Sequence, residues 1–236
     1  MKRLAIATGL TLSLAFCASA EAQKKDVDIK ASDGVTLKAS YFSPGRSGPG
    51  MILLHQCNMD RHAWDGLAQD LANAGFHVVT VDFRGYGQSG GDRAQRDKWP
   101  GDVDAAYSYL MSQKGVDKSR IAAGGASCGV TQASDLATRR HDIKALVLLS
   151  GQASDAAKAY LTATTSLPVF GAASEGDTNA AKGIRDAVGA SKNAQSTVKI
   201  YAGTEHGVPM FAKNAELEPM IVTWLKMELS VKTSSR

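Results

Sequence analysis

From residue 51 to the C-terminal end, short continuous apolar runs alternate with segments whose apolar residues recur every three or four positions. The runs are 51–54, 77–81, 121–123, 145–149, 167–170 and 197–201. Strands that are apolar throughout, rather than at every second residue, are buried on both faces, as in a parallel sheet. Ahead of them, 26–30 and 35–41 read as two strands about a turn at Ser32-Asp33-Gly34, and 43–50 as a Gly/Pro loop. The helical periods are 63–74 (Trp64, Leu67, Leu71 on one face), 103–111 (Val103, Tyr107, Leu110), 130–139, 180–188 and 216–229. Strand–helix alternation repeated this often predicts right-handed crossovers. The fold class is therefore α/β: a doubly wound, mostly parallel eight-stranded sheet with helices on both faces. Between the strands near 145–149 and 167–170, residues 151–166 have room for one short helix and not for an inserted lid domain.

A chain of 236 residues fits one domain with a substantial core, because single cores grow up to roughly 250 residues. The formal charge of +4 includes Lys2 and Arg3 at the extreme N-terminus, and no Lys/Arg-rich block follows. That is a solvated surface and not a nucleic-acid footprint. The N-terminus has the three parts of an export signal: Lys2-Arg3, an apolar stretch over 4–16 too short to span a bilayer, then small residues. The favoured cut follows Ala22, which gives a signal peptide over 1–22 and a mature domain over 23–236, exported to the periplasm or beyond. No other stretch is long enough for a transmembrane helix, so no stable membrane insertion is expected. Of three cysteines, Cys17 leaves with the signal. Cys57 and Cys128 remain, and an even number in an oxidising compartment permits one bridge, with two buried thiols as the alternative.

The strongest chemical signal is Gly125-Ala126-Ser127-Cys128-Gly129, directly after the apolar run 121–123 and before the helical period 130–139. This is a G-x-S-x-G elbow in its required context of strand, sharp turn and helix. A nucleophile held there sits in a strained backbone that lifts its hydroxyl from the sheet edge. The positions two before and two after crowd against strand and helix, and so lack side chains. A thiol nucleophile at Cys128 is the rival. Centring the elbow there would put Ala126 and Val130 where glycines are needed, so Ser127 is preferred.

The partners of a serine nucleophile follow it in the order acid, then His, each on a loop after a later strand. The strand 167–172 delivers Ser174-Glu175-Gly176-Asp177. Asp177, just past the Gly turn, is the preferred acid, Glu175 is the reserve, and capping of the next helix is the competing role for Asp177. After the last strand comes Gly203-Thr204-Glu205-His206-Gly207, and of five histidines only His206 lies there. His55, His62, His77 and His141 are assigned structural or solvated roles. Trp64 and Trp99 are read as packing residues, with lining of the site as the alternative.

These motifs carry a family resemblance. His55-Gln56-Cys57 stands where many α/β-hydrolases have His-Gly-x, and 82–90 (DFRGYGQSG) looks like their D-x-R-G-x-G-x-S-G turn. Residues 121–130 resemble the elbow strand of small lid-less serine esterases of the dienelactone-hydrolase-like group. With the Asp177 and His206 loops the resemblance covers nearly the whole mature chain. It implies hydrolysis of small carboxylic esters or lactones, with Ser127 as nucleophile, His206 as base and Asp177 as acid. It also implies backbone N–H donors to an oxyanion from Cys128 and, by family position, Cys57, with Gln56 second. Two donors sharing one oxygen bring Cys57 and Cys128 near disulfide range, so a bridge bracing the oxyanion hole is a further expectation. Gln56 for Gly and Val130 for a second Gly depart from the family pattern and bear on the shape of the acyl pocket.

No Cys/His spacing fits zinc, and no Gly-rich phosphate loop follows a strand, so neither metal nor cofactor is expected. The expected partner is a small-molecule ester, and the oligomeric state is left open. A thioesterase or acyltransferase of the same fold is the alternative enzyme, separable by product partitioning with added alcohol or amine. A non-catalytic binding protein of the same fold is the alternative outside enzymes, and a fluorophosphonate probe would fail to label it.

Overall fold

A computed structural model describes residues 22–230. The signal expected over 1–22 (Ala22 apart), Cys17 within it, and the tail 232–236 lie outside the described residues.

The strands are β1 (Gln23–Lys30), β2 (Thr36–Ser43), β3 (Gly48–Leu54), β4 (His77–Val81), β5 (Val116–Ala126), β6 (Ile143–Leu149), β7 (Val169–Ser174) and β8 (Thr197–Tyr201). They form one eight-stranded sheet in the order β1-β2-β4-β3-β5-β6-β7-β8. Only β2 runs against its neighbours, and every pairing from β4 to β8 is parallel. The helices are α1 (Asp65–Asn73), α2 (Trp99–Ser112), α3 (Cys128–Arg139), α4 (Asp155–Ala163), α5 (Thr178–Ala190), α6 (Met210–Lys213) and α7 (Leu217–Glu228).

The all-apolar runs serve two cores at once. In β3, Met51 and Leu53 face a cluster with Leu67, Leu71, Ile221 and Leu225 of α1 and α7. Ile52 and Leu54 face the opposite cluster with Val103, Leu136, Leu161 and Ile184 of α2 to α5. Adjacent residues on a strand point to opposite faces, so a centrally placed strand needs an apolar residue at every position. Trp64 and Trp99 are buried packing residues of these two cores.

Several boundaries differ from expectation. β3 begins at Gly48, inside the stretch read as loop, and β5 begins at Val116, five residues before its apolar run. The early part of β5 (Asp117, Lys118, Ser119, Arg120) is polar and pairs β3 only up to a register shift at Pro49/Gly50, so no apolar signal marks it. α1 is preceded by a separate 3-10 turn at Arg61–Trp64, and the short α6 was not anticipated. Between β6 and β7, α4 is the single helix, as expected, and no lid is present among the described residues.

Candidate active site

Strand register brings the ends of five strands to one rim. Leu54 pairs Gly125, Ala126 pairs Leu149, Leu149 pairs Ala172 and Ser174 pairs Tyr201. The loops that follow therefore collect Gln56 and Cys57, Ser127, Asp177, and His206 at the carboxyl ends of the parallel strands. In open α/β sheets that is where ligands bind.

Ser127 occupies the single-residue turn between β5 and α3, with φ 52° and ψ −118°. Among the described non-glycine residues only it and Ser150 have positive φ. Such a conformation costs on the order of 1–3 kcal/mol and persists only where its surroundings enforce it. Here Ser127 N–H donates to Leu149 O at 2.9 Å and Ser127 O accepts from Val130 N at 2.9 Å. The flanking glycines are obligatory. A Cβ on Gly125 would overlap the Gly129 carbonyl, and a Cβ on Gly129 would overlap the carbonyl of Leu54.

Asp177 stands at the N-cap of α5 but makes no side-chain cap hydrogen bond. Its Oδ2 lies 2.5 Å from His206 Nδ1. Side-chain exposure is 43% for His206 and 20% for Asp177, so the imidazole remains reachable from solvent. Glu175, the reserve acid, is exposed. Its main chain and that of Gly176 tie the two loops together, through Glu175 N to Tyr201 O at 2.7 Å and Gly176 N to Gly203 O at 2.8 Å. Ser174 Oγ adds a bond to Glu205 O at 2.7 Å. Sequence reasoning missed this role of Ser174, because nothing in a lone buried serine reveals a partner 31 positions away.

The loop after β3 is held at several points. His55 is buried; its Nδ1 lies 2.8 Å from Gln56 O, and Nε2 accepts the Phe83 N–H at 3.1 Å. Burial holds this imidazole below the ordinary His range, consistent with a neutral ring whose Nε2 is an acceptor. Gln56 is buried and its side chain reaches the His206 loop, with Oε1 accepting from Val208 N at 2.9 Å. Cys57 is joined by a disulfide to Cys128, the residue after Ser127, with Cα atoms 5.9 Å apart. No turn or loop carbonyl among the described residues takes the amide of Cys57 or Cys128. Gly207 closes the group: its Cα lies against Ala126, where a Cβ would sit 3.3 Å from the Ala126 Cβ.

The turn after β4 is structural. Buried Asp82 accepts from Arg61 Nη1 at 2.6 Å and from Gln88 N at 2.9 Å, while Arg84 is paired with Asp102 and Asp33. The other histidines sit away from the rim. His77 is bonded to Tyr41 Oη and Arg46 O, His62 pairs Asp65, and His141 lies near Thr138 O. Among the described residues no group of three or more His, Cys, Asp or Glu is placed to hold a metal ion, and no helix is long and apolar enough to cross a membrane.

Comparison with known proteins agrees with this architecture. A family model described as alpha/beta hydrolase fold matches residues 49–197, more than half of the chain. An uncharacterized protein of Mycobacterium tuberculosis is 37% identical over 128 residues, 53% of this chain and 45% of that protein. The alpha/beta hydrolase domain-containing protein aho-3 of Caenorhabditis elegans is 37% identical over 99 residues, 40% of this chain and 29% of that one. This chain thus spans less than half the length of these curated relatives. Among solved structures, the Pyrococcus furiosus esterase Pf2001 superposes with a TM-score of 0.71 at 18% identity, over 93% of this chain and 96% of that one. With the eight-stranded sheet, the strained elbow at Ser127 and the family match in agreement, the chain belongs to the α/β-hydrolase fold family.

Proposed function

We propose that the protein is a serine hydrolase that cleaves small carboxylic esters or lactones through an acyl-enzyme on Ser127. The observation that carries this reading is the bond between Asp177 Oδ2 and His206 Nδ1, on loops that follow strands ending at the same sheet rim as the strained elbow. With Nδ1–H committed to the carboxylate, Nε2 is the nitrogen left to act as base. His206 Nε2 takes the Ser127 hydroxyl proton as Oγ attacks the substrate carbonyl carbon. The tetrahedral oxyanion is held by the backbone N–H groups of Cys128 and Cys57. Its collapse breaks the bond to the leaving alcohol, which takes the proton from His206. Water then attacks the acyl-enzyme by the same relay, releasing the acid and regenerating Ser127.

Asp177 serves to fix the tautomer and stabilise the imidazolium. The partner this reading requires is a small ester, with no cofactor. We place the protein in an exported, oxidising compartment, and the Cys57–Cys128 bridge supports that placement. A chain-length series of chromogenic esters, assayed on wild type and Ser127→Ala with fluorophosphonate labelling in parallel, tests the reading. Wild type should turn over and label, and Ser127→Ala should do neither. Turnover retained in Ser127→Ala would refute it.

A further inference from the structure

Gln56 stands where the resembling family has glycine, and its side chain is almost fully enclosed, at 1% exposure. Both ends of its amide are used. Oε1 accepts from Val208 N at 2.9 Å, across 152 positions of sequence, and Nε2 donates to Asn58 Oδ1 at 2.8 Å. Next to Val208, Gly207 has φ 72°, and a Cβ there would overlap Gln56 Oε1. The two positions are therefore fitted to each other: a long amide on one loop and a bare backbone on the other. Gln56 also sits between His55, bonded to the Phe83 N–H, and Cys57, bonded to the elbow. The tripeptide thus connects the end of β4, the nucleophile turn and the His206 loop.

We propose that Gln56 is a positioning residue for His206, an assignment that rests on the triad reading above. Asp177 holds the imidazole at Nδ1 and Ser174 Oγ holds the Glu205 carbonyl on its N-terminal side, which leaves the backbone on the C-terminal side of His206 to be fixed. The Gln56 amide oxygen fixes it by holding the N–H two residues further on. The same side chain anchors this loop to the one that carries Cys57, so base and oxyanion donor are held in register by one group. An apolar side chain of similar volume would fill the space and leave the Val208 N–H and Asn58 Oδ1 without these partners. The loop would then relax by tenths of an ångström or more, and misplacement on the order of 1 Å costs about a hundredfold in rate.

The test uses Gln56→Met, which keeps volume and removes both hydrogen bonds, and Gln56→Gly, which also removes both but sets no apolar group against the Val208 N–H. Active sites are titrated with a fluorophosphonate, and kcat and KM are measured separately on a short-chain ester. The expected result is a fall in kcat per active site of roughly tenfold to a hundredfold, with KM unchanged within about threefold. A role in packing alone would lower the melting temperature and the titrated fraction while leaving kcat per site intact, and that result overturns the proposal. A loss carried wholly by KM overturns it too, because it would make Gln56 a substrate contact.

Gly207→Ala supplies a second measurement. It should depress kcat far more in the wild-type background than in Gln56→Gly, where the overlapping oxygen is gone, and equal effects in both would overturn the fit on which the proposal stands. Ser127→Ala and His206→Ala separate the two levels of inference. If either retains turnover, the triad reading fails; if both are inactive and the Gln56 variants match wild type, only the present inference fails.

Discussion

Asp177 occupies the cap position of α5 and leaves the helix uncapped, spending its carboxylate on His206 Nδ1 at 2.5 Å instead. An Asp at an N-cap ordinarily accepts from the second or third helical N–H, a bond worth about 1 kcal/mol. Forgoing it is a cost to stability that the imidazole contact justifies only if the pair has work to do. Asp177→Asn should therefore lower kcat by orders of magnitude, since an amide can present the wrong partner to Nδ1 and favour the wrong tautomer. It should leave thermal stability equal or higher, because Asn caps as well as Asp. Glu175→Gln, on an exposed side chain, should be near wild type. Steady-state kinetics with melting curves on both variants decide the matter, and an inactive Glu175→Gln beside an active Asp177→Asn would reverse the assignment.

How far the sequence carries depends on whether a residue's environment is periodic. The apolar runs of β3, β4 and β6 predict a doubly covered parallel sheet because burial on both faces leaves a mark at every position. Gly125 and Gly129 were legible for a similar reason: each has a carbonyl where its Cβ would be. The polar start of β5 left no such mark, since its pairing to β3 is by backbone and its side chains face out or sit half-buried. Gln56 and Ser174 were illegible in the same sense. Their partners, Val208 N and Glu205 O, are main-chain atoms far along the chain, and a backbone donor or acceptor has no residue type to betray it.

Substrate length is constrained by what lies between β6 and β7, where α4 is the only helix. Long acyl chains need apolar walls over most of their length, because each exposed CH₂ forgoes about 0.8 kcal/mol of burial. A nine-residue helix supplies little of that. Turnover of p-nitrophenyl esters should peak at short acyl chains and fall by at least roughly tenfold by lauroyl or palmitoyl. A steady rise in kcat/KM up to the long fatty esters would contradict this.

Two buried histidines make stability depend on pH. Burial lowers the pKa of both His55 and His77. Each uses its unprotonated nitrogen as an acceptor, His55 Nε2 from Phe83 N and His77 Nδ1 from Tyr41 Oη. Protonation of His55 would set donor against donor at the Phe83 N–H, and protonation of His77 would force Tyr41 Oη from donor to acceptor. In the unfolded chain these rings titrate near the ordinary value of about 6.5, so below that pH the unfolded state binds more protons than the native one. Their contribution is therefore complete above about pH 6.5 and is lost as pH falls from there through the lowered native values. Urea denaturation midpoints should decline between about pH 6.5 and 5, before most carboxylates titrate, and His77→Gln should flatten part of that decline. Midpoints constant across this range would show that the rings are not held neutral.

The disulfide between Cys57 and Cys128 links the loop after β3 to the first residue of α3, immediately beyond Ser127. Two consequences separate cleanly. Closing a loop across a sequence separation of 71 restricts the unfolded chain, and on loop entropy alone that is worth about 4 kcal/mol. This part is independent of catalysis. The second concerns the proposed donors: both N–H groups belong to the bridged residues, so the bridge limits how far they can move apart. Oxyanion donors act through preorganisation, and loss of one costs on the order of a hundredfold to a thousandfold in kcat. Loosening one without removing it should cost less, roughly tenfold. Titration of the denatured, unreduced mature protein should find no free thiol. Mild reduction under native conditions should then lower the melting temperature and reduce kcat by about that factor with little change in KM. Two free thiols per chain would refute the bridge. A reduced protein that is less stable but equally fast per titrated active site would confine the bridge to stability and leave the positioning of the oxyanion loop to its hydrogen bonds, those of His55 and Gln56 among them.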